Sequence, residues 1–197
     1  WLLYASSSLF GFWLGVIFFG LAAGINYPAI GSFTISALPR ERYGPGMGMQ
    51  RTADGRYIMW LGHEGPPKNF TAVDVTDPKN PRVIVQTDLP HHKMRSNSLE
   101  VCGDRMYVAH QIRGIAPGGT PAGFDIWDIS TPEKPQKISH FDCSGPHSLG
   151  VHCVWCVDNE YVHISSGAAD FTPRVPDKDY QFYRIINVKN PSKPVEE

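Results

Sequence analysis

The chain has 197 residues, of which 42% are hydrophobic and 19% are charged, and its formal net charge is −1. A chain with this near-neutral balance and no run of Lys and Arg lacks the basic surface that binds nucleic acid, so we expect no nucleic-acid partner. The charge is unevenly placed, because all 18 Lys and Arg and all 19 Asp and Glu follow Leu38. The sequence therefore divides into an uncharged N-terminal part and a charged remainder.

The uncharged part predicts a membrane-spanning helix. A bilayer core about 30 Å thick needs about 20 apolar residues in helical form; residues 2–23 meet this need, and the apolar character continues to residue 38. We therefore expect residues 1–43 to be a transmembrane segment and linker that places the protein in a membrane. A cleaved signal peptide is the alternative, but it would need a basic start and a shorter apolar core. Arg40 and Arg42 follow the segment, and with one flank visible the side of the membrane stays open.

The charged remainder contains one octapeptide pattern three times, which marks a repeat architecture. The copies are Asp74–Pro81, Asp128–Pro135 and Asn187–Pro194. An apolar segment rich in β-branched and aromatic residues precedes each copy. The prolines remove N–H donors from a strand ladder, and the polar residues between them suit a turn. Each octapeptide therefore predicts the tip of a β-hairpin.

A second hairpin is predicted upstream of each octapeptide, at the two-residue turn signals Asp54-Gly55, Gly103-Asp104 and Asp158-Asn159. Two hairpins give four short antiparallel strands per unit, and we place the units at 44–89, 90–142 and 143–197. A unit of about 45–55 residues matches one propeller blade. The predicted fold class is all-β, a partial β-propeller of about three four-stranded blades at 44–197 after the N-terminal transmembrane helical segment. Propellers have at least about four blades, so we expect the chain to be part of a longer ring.

These residues carry two resemblances. The repeated Asp-Ile/Val-Ser/Thr-x-Pro-x-Lys/Asn-Pro element resembles the LVIVD-repeat β-propellers, and the stretches Pro90–Asn97 and Cys143–His152 are similar to one bacterial branch of that family. This resemblance covers about residues 46–197 and implies a propeller fold, but no particular activity, because propellers host many unrelated functions. The stretch from Gly20 to Gly44 resembles a helix and the following loop of major-facilitator transporters.

The histidines are the candidate site residues. When the units are aligned on their upstream turns, His92 falls on His147 and Asn97 falls on His152. Both positions precede the first strand of a blade, which in propellers lines the central channel. We expect His92 and His147, with His91 and His152 close by, to converge there and to hold a transition metal such as copper or zinc, for which neutral imidazole is a common ligand. The alternative is that these histidines cap strands or bridge blades through hydrogen bonds.

Other candidate ligands carry less weight. Four further histidines do not recur at equivalent positions in this alignment: His63, His110, His140 and His163. Cys153 and Cys156 have Cys-x-x-Cys spacing, but in a predicted strand residues three apart point to opposite faces. We therefore expect these cysteines neither to chelate a metal nor to form a redox pair. The sequence Asn69-Phe70-Thr71 matches the N-glycosylation acceptor pattern at the start of a strand.

Three functional hypotheses follow. The leading one is a membrane-tethered LVIVD-type propeller that binds a protein or small-molecule ligand at its top face or channel. The first alternative is a metal-dependent oxidoreductase with His92 and His147 as ligands, which resembles the selenium-binding and methanethiol oxidase propellers in architecture and histidine placement. The second alternative is a major-facilitator fragment fused to a propeller. No catalytic residue is identified from the sequence.

The channel hypothesis makes a prediction for His147. If the channel histidines hold a metal, His147→Ala should abolish stoichiometric metal binding and leave the fold intact, because the residue precedes a strand instead of filling the core. Metal affinity should also fall as the pH drops through about 6.5, where imidazole gains a proton and loses its free lone pair. Elemental analysis of the purified protein checks both effects.

Overall fold

The structure is a computed structural model that describes residues 46–112, 122–175, 178 and 180–197. Within these ranges the chain is all-β and forms three antiparallel sheets. The predicted transmembrane segment at residues 1–43 lies outside the described residues. The part of the chain that is described contains no helix with the length and apolar character needed to cross a membrane.

The three sheets follow one another along the chain. The first contains β1 (Met47–Arg51), β2 (Tyr57–Gly62), β3 (Lys68–Asp74) and β4 (Arg82–Asp88). The second contains β5 (Met94–Arg95), β6 (Leu99–Cys102), β7 (Arg105–Ile112), β8 (Gly123–Asp128) and β9 (Gln136–Asp142). The third contains β10 (Val151–Cys156), β11 (Tyr161–Ser166), β12 (Phe182–Asn187) and β13 (Val195–Glu196). Strands that are neighbours in sequence pair within each sheet, except that β5 and β6 both pair with β7.

The first strand of the second and third sheets is interrupted at equivalent places. In the second sheet, Ser96–Ser98 separates β5 from β6, so five strands replace the four that were predicted. In the third sheet, the pairing of β10 with β11 shifts by one residue between Val151 and Cys153, which bulges His152. Asn97 and His152, which the sequence alignment matched, are thus both positions where the ladder is broken. A bulge of this kind redirects side chains at a sheet edge.

The hairpin tips predicted from the octapeptides are confirmed, because each octapeptide joins the third and fourth strands of its sheet. The side-chain oxygen of the first residue accepts the backbone N–H two residues later in all three copies, Asp74 from Thr76, Asp128 from Ser130 and Asn187 from Lys189, at 3.0, 2.8 and 3.2 Å. A second turn follows in each copy, where Asn80, Lys134 and Lys193 donate to the carbonyls of Asp77, Thr131 and Asn190. The repeated sequence therefore builds one repeated turn.

The upstream turns are only partly as predicted. Gly103 and Asp104 form the expected two-residue connection between β6 and β7. The corresponding loops are longer in the first sheet, Thr52–Arg56, and in the third sheet, Val157–Glu160. In the third sheet the carboxylate of Asp158 accepts the N–H groups of Glu160 and Tyr161, so these residues close the turn before strand pairing begins.

The sheets pack face to face through two apolar layers. The layer between the first and second sheets contains Ile58, Trp60, Phe70, Ala72, Leu99, Val101, Met106, Val108 and Ile129. The layer between the second and third sheets contains Tyr107, Ala109, Phe124, Ile126, Val151, Val154, Cys156, Val162, Ile164 and Ile186. Successive residues of β7 enter opposite layers because strand side chains alternate between faces. The first strands β1, β6 and β10 also contact one another in series, so the sheets are stacked in chain order.

A backbone contact between the second and third sheets gives a prediction for Gly150. Its φ is +82°, and an added Cβ would lie 2.4 Å from the carbonyl oxygen of His110. Gly55 has a similar φ of +88° but open space around the Cβ position, so it is the matched control. We expect Gly55→Ala to lower the free energy of unfolding by about 1 kcal/mol through backbone strain, and Gly150→Ala by a further 1–3 kcal/mol or so through overpacking. Chemical denaturation measures both, and equal losses would contradict close packing of the two sheets.

Candidate functional site

The strand register identifies equivalent residues in the three sheets. The first residue of each octapeptide pairs with the second strand of its sheet, as Asp74 with Ile58, Asp128 with Arg105 and Asn187 with Tyr161. Five residues further along the chain from Ile58, Arg105 and Tyr161 lie His63, His110 and Ser166, which are therefore at equivalent positions. Three residues before the first residue of each octapeptide, on the third strand, lie Thr71, Asp125 and Arg184, which share a second equivalent position. In each sheet, we call this pair of residues, one on or directly after the second strand and one on the third, the polar position.

This register corrects the sequence analysis. The expectation that His63 and His110 do not recur at equivalent positions is wrong. The alignment on upstream turns misplaced them because the loop Thr52–Arg56 is longer than the Gly103-Asp104 turn. The register between the second and third strands identifies the equivalent residues, and this register cannot be read from the sequence alone.

The polar position of the first sheet is occupied by uncharged hydrogen-bonding groups. The Nε2 atom of His63 lies 2.8 Å from the Thr71 hydroxyl, and Gln86 donates to the same hydroxyl at 2.8 Å. Burial of His63 lowers the pKa of its imidazole, which favours the neutral ring. This group holds no carboxylate, so no strong charge is buried there.

The polar position of the third sheet carries a buried arginine. Arg184, only 7% exposed, donates to both carboxylate oxygens of Glu196 at 2.7 and 2.6 Å. It also donates to the carbonyl of Gly167 at 2.7 Å, and its guanidinium lies over the Phe141 ring. Bidentate pairing with a carboxylate is the geometry that best compensates a buried guanidinium. The charge at this position is therefore balanced within the third sheet.

The polar position of the second sheet is a cluster of titratable groups around Asp125, which is 1% exposed. Its Oδ1 atom lies 2.7 Å from His140 Nδ1 and 2.7 Å from Lys137 Nζ. Its Oδ2 atom lies 3.9 Å from Nε2 of His110. His110, Asp125 and His140 each offer a ligand atom, and these three atoms lie within 4.8 Å of one another. We call these three residues the His–Asp–His cluster.

The electrostatics of the cluster favour one ionised carboxylate and a neutral His110. Burial lowers the pKa of His110 to about 4, an effect that Asp125 partly opposes and that nearby His140, Lys137 and His91 reinforce. Burial alone would raise the pKa of Asp125, but the hydrogen bond from His140 and the electrostatic attraction of His110 and Lys137 hold it below its usual value. At neutral pH the cluster therefore contains the Asp125 carboxylate and a neutral His110 imidazole with a free lone pair.

The cluster is linked to the first sheet through Asn69. The Oδ1 atom of Asn69 accepts the hydroxyl of Ser96 and lies 3.3 Å from Nε2 of His110. Asn69 is only 2% exposed, and a glycan needs an exposed asparagine. The glycosylation pattern at Asn69–Thr71 is therefore part of an inter-sheet contact in the folded chain and is not accessible for modification.

One ring nitrogen of the cluster has no partner. The Nε2 atom of His140 is buried and makes no hydrogen bond with any described residue, although Nδ1 of the same ring contacts Asp125. A carboxylate that holds one imidazole nitrogen fixes the ring and leaves the other nitrogen free, which is the arrangement seen in histidines that bind metals or transfer protons. Three other buried atoms of the described residues, Oγ1 of Thr87, Oδ1 of Asn97 and Nε1 of Trp127, also have no partner, so this nitrogen is one of a small set.

The structure places the predicted channel histidines as follows. His152 contacts Gln111 through Nδ1 at 3.1 Å, and its carbonyl accepts the Asn97 amide at 2.7 Å. This residue therefore bridges the second and third sheets by hydrogen bonds, as the alternative hypothesis expected for such positions. His92 is exposed, and His147 is half-buried in the loop before β10. Neither belongs to a group of converging ligands among the described residues, and their shared metal site stays a prediction.

The structure places Cys153 and Cys156 on opposite faces of one strand, as the alternation of strand side chains predicts. Cys153 and Cys156 both lie in β10, where Cys153 is exposed and Cys156 is buried between the second and third sheets. Both are free thiols, as are Cys102 and Cys143. Burial raises the pKa of Cys156 to about 11, so this thiol is protonated and unreactive at neutral pH.

No family model matches this chain, and no curated protein matches it. The likeness to LVIVD-repeat propellers therefore remains a resemblance. The functional proposals depend on the geometry of the three sheets and of the His–Asp–His cluster.

The central place of Asp125 predicts unequal effects of two substitutions. Asp125→Asn removes the charge that His140 and Lys137 contact, and we expect a loss of about 1–3 kcal/mol in the free energy of unfolding. Lys137→Met removes a half-exposed ammonium and should cost less than about 1 kcal/mol. Chemical denaturation followed by tryptophan fluorescence compares the two, and a Lys137 effect as large as that of Asp125 would contradict this account.

Proposed function

We propose that the chain is a membrane-tethered β-propeller segment of the LVIVD-repeat type that acts as a protein-binding scaffold. The observation that carries the binding role is an exposed aromatic face on the third sheet. Within a longer ring the next blade would cover this face; for the 197-residue chain by itself, we further propose that the protein bound there is a second copy of this chain, whose third sheet packs against the same face.

The exposed face is built from the strands β10, β11 and β12. Trp155 and Tyr183 are 55% and 65% exposed. His163 lies between them, with ring centroids 5.3 Å from Trp155 and 5.9 Å from Tyr183, and its Nδ1 atom is 2.6 Å from the Tyr183 hydroxyl. Val157, 58% exposed, continues the apolar surface into the loop that follows β10. We call these four residues the aromatic face.

Equivalent positions are covered in the other two sheets. By strand register, His163 corresponds to Trp60 and Tyr107 in the first and second sheets, and Tyr183 corresponds to Phe70 and Phe124. All four of those side chains are fully buried against the next sheet. The aromatic face is therefore the same surface that, twice within this chain, packs against another antiparallel sheet. An apolar patch of this kind on a soluble surface indicates an interaction site.

A second copy of the chain fits this surface. Pairing of two identical faces gives a closed two-fold dimer, the commonest symmetric assembly, in which each aromatic face covers the other. The face carries no charged side chain in its centre, so two copies do not oppose each other electrostatically. Tyr and Trp also contribute strongly to protein interfaces, because each combines a large apolar area with a polar atom.

The dimer proposal is tested by charge substitutions on the aromatic face. We expect Trp155→Lys and Tyr183→Lys to weaken self-association of the full chain at least tenfold, because each buries an ammonium in the apolar contact. Val83→Lys is the matched control, since Val83 is 67% exposed on the outer strand of the first sheet and should leave association unchanged. Sedimentation equilibrium in density-matched detergent measures the association constant. A monomeric wild-type chain, or equal effects of all three substitutions, would contradict the proposal.

The membrane tether is supported by the uncharged stretch from Trp1 to Leu38 and is tested separately. In membranes of cells expressing the full chain, we expect the protein to resist alkaline carbonate extraction and to dissolve in detergent. Leu14→Arg places a charge at the middle of the predicted span, which costs about 2.5–3.5 kcal/mol on insertion scales, so it should increase the carbonate-extractable fraction. Leu89→Arg, in the half-buried turn after β4, is the control and should not change extraction. Full extraction of the wild-type chain by carbonate would contradict the tether.

A further inference from the structure

We propose that His110, Asp125 and His140 form a binding site for a divalent transition metal of the zinc class. This site is distinct from the channel site predicted around His92 and His147, and it does not depend on the dimer proposed above. It uses residues from β7, β8 and β9 of the second sheet, which the fold brings together at the polar position.

The donor set suits such a metal. Two imidazole nitrogens and one carboxylate oxygen are the ligands of many open three-residue zinc and iron sites, which keep a position for water or substrate. Metal bonds of about 2.0–2.2 Å hold ligand atoms closer together than the 4.8 Å that bounds the present cluster. Oδ1 of Asp125 and Nδ1 of His140 already lie 2.7 Å apart, so a metal held by both replaces their hydrogen bond, and His110 must draw in by roughly an ångström. All three residues lie on neighbouring strands of one sheet, so no element has to move.

The hydrogen bonding of the second polar position also differs from that of the other two. Nε2 of His140 is buried without a partner, whereas at the first sheet's polar position His63 and Gln86 both contact the Thr71 hydroxyl. At the third sheet's polar position, Arg184 is neutralised by Glu196. A purely structural role explains the first and third positions. It does not explain why the second position combines a buried carboxylate, two imidazoles and an unsatisfied nitrogen.

The ammonium of Lys137 would compete with a bound metal for the Asp125 carboxylate. Its ammonium lies 2.7 Å from Oδ1 of Asp125 and its side chain is 42% exposed, so it can turn into solvent when a metal binds. Two positive charges close to one carboxylate repel each other. The site therefore predicts that removal of Lys137 strengthens metal binding, an effect that a folding defect cannot imitate.

The experiment uses the full chain in detergent, stripped with a chelator and titrated with Co²⁺, whose visible absorption reports coordination by protein ligands, followed by displacement with Zn²⁺. We expect one Co²⁺ per chain. His140→Gln should weaken binding at least tenfold, and Lys137→Met should tighten it about fivefold or more. His63→Gln, at the equivalent position of the first sheet where no carboxylate is present, is the matched control and should leave the affinity unchanged, whereas His147→Gln reports separately on the predicted channel site. Far-ultraviolet circular dichroism of each variant checks that the sheets are retained.

Three results would overturn the proposal. The first is a wild-type chain that binds no stoichiometric Co²⁺. The second is unchanged affinity in His140→Gln together with unchanged affinity in Lys137→Met. The third is loss of binding in His147→Gln with full binding in His140→Gln, which would move the metal to the channel histidines. Loss in His140→Gln with gain in Lys137→Met would support the site.

Discussion

The register of every sheet depends on one hydrogen bond, in which the side chain that opens an octapeptide accepts the backbone N–H two residues later. This contact closes the turn between the third and fourth strands. The N–H of the intervening residue donates to a carbonyl at or just before the start of the second strand, from Val75 to Tyr57, Ile129 to Asp104 and Val188 to Glu160, at 2.9, 2.9 and 2.8 Å. Three strands are thereby held in one register, and a shift of one residue would send every apolar side chain to the wrong face. The apolar layers and the polar position recur because this turn recurs.

The sequence predicts what is local and misses what depends on irregular pairing. The octapeptide turns, the all-β class and the opposite orientations of Cys153 and Cys156 follow from turn chemistry and strand alternation. The pairing of Asp125 with His140 cannot be predicted in this way. The register of β8 and β9 shifts between Ile126 and Trp127, and this shift brings His140 opposite Asp125. A uniform ladder counted from the turn would have placed Ser139 there. The first sheet has a shift at the equivalent place, between Ala72 and Val73, so the bulge itself is part of the repeat.

The three sheets share a backbone plan and differ in the side chains placed on it. Their polar positions hold a neutral hydroxyl group, a carboxylate with two imidazoles, and an arginine with its glutamate. The outer faces differ as well, since Trp60 and Tyr107 are covered whereas the equivalent His163 is flanked by exposed aromatic rings. The proposed metal site is therefore a departure from an otherwise repeated pattern, whereas the proposed protein-binding face repeats an aromatic surface that the next sheet covers in the other two cases. Repetition supplies the scaffold, and substitution at equivalent positions supplies candidate functions.

The proposed propeller requires that one rotation relate each sheet to the next. Spin labels at Asn80, Lys134 and Lys193, which are exposed and occupy the same octapeptide position, test it by pulsed electron resonance in pairs, with exposed Cys153 replaced by serine. We expect the 80–134 and 134–193 distances to agree within the widths of their distributions, and the 80–193 distance to be clearly shorter than their sum because the sheets follow an arc. Unequal neighbouring distances, or an 80–193 distance equal to the sum, would contradict the account.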